Sequence, residues 1–290
     1  MQPLPHWPLI LDALLYTVFP ALCLAAAVMG AVMFLAGAKH GPLAAALGIT
    51  AGTALGLWLR DSLTLIAGDS SWNRLLGAAL AALWVGRVAR QPGLQSCAGW
   101  LLRAAASALI SWVVIPAETR LSVDWLAPAF AIIVFALWAL LEQLAAEPPD
   151  GAVPFCLAAT FLTAGAVLIH AGSARLMDTS VVVASALAGI GAVAWWRRVD
   201  AGGAIPAAAV LLPGFLLMGQ QETFSDVPWY AFALPALAPL LLAEALPLSQ
   251  WQGTRLQILR MLLMLFLMLL PLAAAVYLAQ EAGPLDFGEP

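Results

Sequence analysis

Charge is scarce in this sequence. Only 10% of its 290 residues are charged, while 63% are hydrophobic; a soluble domain averages about 25% and about 45–50%. Twelve Lys and Arg cannot clothe a water-soluble surface of this size, and the mean hydropathy of +0.94 agrees. Soluble enzyme, disordered chain, collagen and disulfide scaffold are excluded together. The net charge of −4, with no basic cluster, excludes a nucleic-acid surface.

Cysteine and histidine are equally sparse. Cys23, Cys97 and Cys156 match neither a zinc site nor a redox pair. His6, His40 and His170 each lie near the end of an apolar run, which leaves no inward-facing ligand set for haem or metal. No cofactor is expected. The opening residues 1–8 contain no Lys or Arg, so a secretory n-region is missing. Their Pro and Trp read as an interfacial cap on a retained first helix. HExxH, GxSxG and metal-spaced clusters are missing too. His170, Ser173 and Asp178 are neighbours in sequence without an implied geometry, so the chain reads as a non-enzyme.

What is present is apolar sequence in lengths that suit a bilayer. A spanning helix needs about 20 mostly apolar residues. Ten segments meet or approach that: Leu9–Gly37, Pro42–Leu59, Trp72–Ala89, Ala98–Pro116, Val123–Leu144, Pro154–Gly172, Thr179–Trp196, Ala204–Gly219, Pro228–Leu246 and Gln257–Ala279. The eighth is short and carries Pro213-Gly214, which reads as a break. The longest connection runs only from Arg60 to Ser71, leaving no room for a soluble domain. The expected fold is all-α: one polytopic transmembrane helix bundle of about ten spans covering residues 1–290, with the lipid bilayer as its first partner.

The Lys/Arg bias of short loops sets orientation. With ten spans, one side holds Arg60, Arg74, Arg120 and Arg175. The other holds Lys39, Arg87, Arg90, Arg103, Arg197, Arg198, Arg255 and Arg260. The second side is expected to face the cytoplasm, in a bacterial-type inner membrane, with both termini on the far side. Trp7, Trp58, Trp72, Trp84, Trp100, Trp112, Trp125, Trp195, Trp196 and Trp229 sit near segment ends, as belt anchors do.

An internal echo accompanies this pattern. The run from Glu118 to Ala129 aligns without a gap on that from Glu222 to Ala233, sharing Glu, Thr, Val, Trp and two Ala. Thr50-Ala-Gly52 and Thr163-Ala-Gly165 repeat in the second and sixth segments. An offset of four helices describes a parallel four-helix repeat, helices 2–5 (42–144) and 6–9 (154–246), flanked by 9–37 and 257–279. Shared interfacial chemistry is the competing source of the echo.

Two constellations stand out. Gly48, Gly52 and Gly56 share one face of the second helix, where another backbone can approach closely. At the outer end, loops gather polar residues, among them Arg74, Glu118, Arg120, Arg175, Asp178, Gln221 and Glu222. These candidates either pair with one another or bind a ligand. Asp12, Arg103, Glu142, Glu244 and Arg260 all lie within about two turns of a helix end, which disfavours a buried proton chain. The expected function is a non-catalytic, multi-spanning subunit that anchors or completes an assembly with other membrane protein subunits. The alternative is a small permease for a neutral or weakly polar solute.

Overall fold

The computed structural model describes residues 14–59, 71–91, 97–116, 119–120, 123–146, 151–222, 226–250 and 254–282. Among them, ten helices follow one another in the order of the ten apolar segments. They are α1 (Phe19–Ala36, entered through a π-helical turn Leu14–Val18), α2 (Gly41–Leu59), α3 (Ser71–Ala89), α4 (Cys97–Val114) and α5 (Leu126–Ala146). Then come α6 (Ala152–His170), α7 (Ala174–Arg197), α8 (Ile205–Glu222), α9 (Trp229–Leu237) and α10 (Thr254–Glu281). Eight helical stretches are long and apolar enough to cross a membrane, and no strand occurs among the described residues. The protein is an all-α helical bundle of the integral membrane type, because only internally hydrogen-bonded backbone survives in hydrocarbon.

Two groups of helices build the core. In the first, α2 lies against α1 and α7, and α6 pairs with α7. Its tightness comes from the glycine face. A Cβ added at Gly52 would sit 2.6 Å from the Ala21 carbonyl oxygen and 3.1 Å from the Ala186 Cβ. One at Gly48 would sit 2.9 Å from the Ala25 carbonyl oxygen. In the second group, α3 packs on α4 and α8, and α5 on α4 and α8. Sequential neighbours α2 and α3 touch each other only weakly.

The sequence reading needs two corrections here. Pro213 does not break the eighth helix: α8 runs unbroken from Ile205 to Glu222 and is the most enclosed of the candidate spans. A proline forfeits one intrahelical hydrogen bond, and a helix held on all sides by others tolerates that loss. Gly214 lets the Leu75 side chain close against α8, and Phe215 stacks on Trp72 with ring centroids 5.5 Å apart. Trp72 is therefore core rather than belt, being buried, whereas Trp58, Trp84, Trp112, Trp125, Trp196 and Trp229 are exposed as belt residues are. The ninth segment shows the effect of proline in bulk. After nine α-helical residues that include Pro235 it tightens into a 3-10 stretch, Ala238–Gln250, where Pro239 and Pro247 each remove a backbone donor.

Candidate functional site

Successive helices alternate in direction, so the ends of α1, α3, α5, α7 and α9 gather at one end of the bundle with the starts of the helices that follow. That end carries the eight-cation side of the sequence. Four charged side chains are joined there. Arg90, just past the end of α3, donates through Nε to Glu142 Oε1 of α5 and through Nη1 to Asp200 Oδ2 at 2.7 Å. Arg103, in the second turn of α4, donates through Nε to Glu142 Oε2 at 2.8 Å. Its Nη1 reaches the Gly99 carbonyl at 3.2 Å, and its guanidinium lies 5.2 Å from the Trp100 ring centroid. Glu142 thus bridges two arginines, and Arg90 bridges two carboxylates.

The local chain explains how Asp200 arrives. Helix α7 ends at Arg197, and the next residue, Arg198, adopts a left-handed φ of 53° that turns the chain toward Asp200 and Arg90. The Gly202 amide then donates to Asp200 Oδ1 at 2.6 Å. Gly202 and Gly203 must stay glycine: a Cβ on the first would meet Arg90 and Asp200, and one on the second the Pro42 backbone. Burial works against the charged form of Arg90. Asp200 and Glu142 outweigh it and hold the guanidinium above its ordinary range. Nearby, the fully buried Arg260 of α10 donates through Nη2 to the Leu144 carbonyl at 3.2 Å, at the electronegative end of α5.

The network walls a cavity of about 410 Å³ lined also by Lys39, Arg87, Trp100 and Gln143. Four cations face two carboxylates in this lining. Lys39 and Arg87 are exposed, and neither has a carboxylate partner among the described residues. Pro42, Arg87 and Arg90 are shared with a second, largely apolar space of about 190 Å³ between α2 and α3, floored by Gly203 and Pro206. Thr50, Leu80 and Leu83 are shared in turn with a third, of about 260 Å³, that reaches Asn73 at the other end of α3. The second and third spaces lie end to end as a cleft along the weak α2–α3 seam, and the charged cavity adjoins it at Arg87 and Arg90. Away from Arg87 and Arg90, the walls of the second and third spaces are apolar apart from Thr50, Thr53 and Asn73. The Thr53 hydroxyl is buried without a hydrogen-bond partner among the described residues.

The sequence candidates lie elsewhere. Gly48, Gly52 and Gly56 line the α1–α7 side of α2, opposite the cleft-lining Thr50 and Ala54. At the end of the bundle opposite the ion network, Arg120 sits 3.8 Å from the Trp112 ring centroid and Arg175 5.2 Å from that of Trp72. Arg74 is half-buried near the start of α3, Asp178 lies in the second turn of α7, and Gln221 is exposed in the last turn of α8. Glu118 lies outside the described residues, as does the Glu222 side chain, so the structure does not bear on their pairing. Sequence reasoning did not single out Arg90 and Asp200. The available signal was the concentration of eight basic residues at one end, around the helix-borne Glu142.

No protein-family model matches the chain, and no curated protein matches it.

Proposed function

We propose that this membrane protein is a small permease that admits its solute through the α2–α3 cleft to the basic end of the bundle. The single observation supporting this is the cleft itself. Two sequential helices pack on different partners and touch each other only weakly, and the space between them shares Pro42, Arg87 and Arg90 with a charged cavity. A bundle that only anchors a neighbour needs no such opening. The basic end is assigned to the cytoplasm on the Lys/Arg bias, which places both termini outside.

The second reading, a non-catalytic subunit of a larger membrane assembly, is favoured by one feature. Helix α10 exposes Leu259, Leu262, Phe266, Leu269, Leu270 and Tyr277, a face that a partner helix would cover as readily as lipid does. Purification in mild detergent separates the two. A lone monomer or homodimer is the permease result; stable partners in fixed stoichiometry overturn it.

A further inference from the structure

We infer that the ligand of the cleft is a single-chain lipid with a phosphate monoester head, its head at Lys39 and Arg87 and its chain between α2 and α3. The inference deepens the permease reading and rests on it for calling this lipid a substrate.

The head end is argued from charge. Arg90 and Arg103 are committed to Asp200 and Glu142, at 2.7 and 2.8 Å among other contacts. Lys39 and Arg87 line the same cavity with no carboxylate partner among the described residues, which leaves a surplus of two positive charges. A phosphate monoester carries about −1.5 to −2 at neutral pH and three acceptor oxygens. A carboxylate would leave one cation unmatched, and a zwitterionic head would match neither. Arginine's planar fork suits phosphate, and lysine adds a point charge beside it. The network fixes the position of this site, since the Arg90 that closes it is itself held from two sides.

The tail end is argued from shape and polarity. Beyond Arg87 the cleft is lined by Leu43, Ala46, Leu47, Leu80, Leu83 and Trp84. Farther along, the lining includes Ala54, Leu57, Leu76 and Gly77. One helix stands on each side and α8 closes the floor through Pro206, Ala207 and Leu211, so the groove accommodates one chain. Leu47, Ala54, Gly77, Leu80 and Trp84 are exposed, so the groove is open toward the bilayer. A water-soluble anion would find no cation along this length, only Thr50, Thr53 and Asn73 among apolar side chains. A lipid would have its chain in the groove and its charge at the cations.

The test uses the full chain in phosphatidylcholine nanodiscs, with oleoyl lysophosphatidic acid as the probe. Oleate, oleoyl lysophosphatidylcholine and inorganic phosphate supply the other arms. The lysophosphatidic acid is expected to bind tightest and to raise the melting temperature, while inorganic phosphate alone does neither. Arg87→Gln and Lys39→Gln are each expected to weaken it about five- to tenfold, as losing one cation near a lipid head does. Neither variant should change lysophosphatidylcholine binding. Gly77→Phe addresses the tail: a Cβ there meets nothing within 4 Å, so a bulky side chain can start from this cleft-lining position without a backbone clash. Its melting temperature without lipid should match the parent while its lysophosphatidic acid affinity falls.

Equal binding of lysophosphatidylcholine, or full affinity in Arg87→Gln and Lys39→Gln, overturns the head assignment. Full affinity in Gly77→Phe overturns the tail assignment. Tighter binding of oleate overturns the phosphate. Failure to bind by a protein that purifies without partners removes this substrate class and leaves the permease reading. Binding by a protein that purifies with stoichiometric partners does the reverse.

Discussion

Glu142 accepts from Arg90 and Arg103 at once, so a single carboxylate ties α3 to α4 at the basic end. Removing one member of a buried ion network leaves its partners charged and unpaired, at a cost of about 3–5 kcal/mol. Glu142→Gln should therefore lower the melting temperature far more than Lys39→Gln, whose exposed ammonium holds no such partner; comparable shifts would mean that the network is not structural. At the opposite end, pairing of Glu118 and Glu222 with Arg74, Arg120 or Arg175 remains a proposal. It predicts that Glu118→Gln and Glu222→Gln each melt at lower temperature, and two unmoved melting curves would reject it. Residues such as Arg103 and Glu142 were visible in the sequence as charges near helix ends. Their meeting was not, because Arg90 and Asp200 stand 110 positions apart and no local periodicity links them.

Helix α2 uses its two faces differently, and its sequence showed only one of them. The spacing of Gly48, Gly52 and Gly56 marks a close-approach face, and these glycines lie against α1 and α7. Gly52→Leu forces a side chain onto the Ala21 carbonyl and should cost about 1–3 kcal/mol or more. Ala54→Leu, two positions on and facing the cleft, should leave the melting temperature nearly unchanged. Paired thermal melts in one detergent decide the point, and equal losses would contradict the assignment of the faces. Helix α8 teaches the opposite lesson. Pro213 and Gly214 made it the weakest segment in the sequence, yet it stands at the centre of the bundle, where small residues admit Leu75 and Leu168. Local propensity describes an isolated helix. Packing on several sides decides whether a proline bends it.

At the scale of the whole molecule, ten apolar segments in the sequence correspond to ten helices among the described residues, eight of the helical stretches being long and apolar enough to cross a membrane. The cleft was not legible, since it arises from α2 and α3 choosing different partners, a long-range outcome that loop length does not encode. The proposed orientation rests on loop charge. In otherwise cysteine-free protein, Ser173→Cys should react with an impermeant thiol reagent in intact cells, and Gln91→Cys only after permeabilisation. The reverse pattern would invert the topology. The most direct test of the α2–α3 opening uses a membrane-permeant maleimide on the same cysteine-free background. Ala54→Cys and Gly77→Cys are predicted to label readily from the bilayer, whereas Ala186→Cys, fully buried against Gly52, stays unreacted. Protection of all three alike would contradict the account, because α2 and α3 would then be closed together and the bundle would have no cleft.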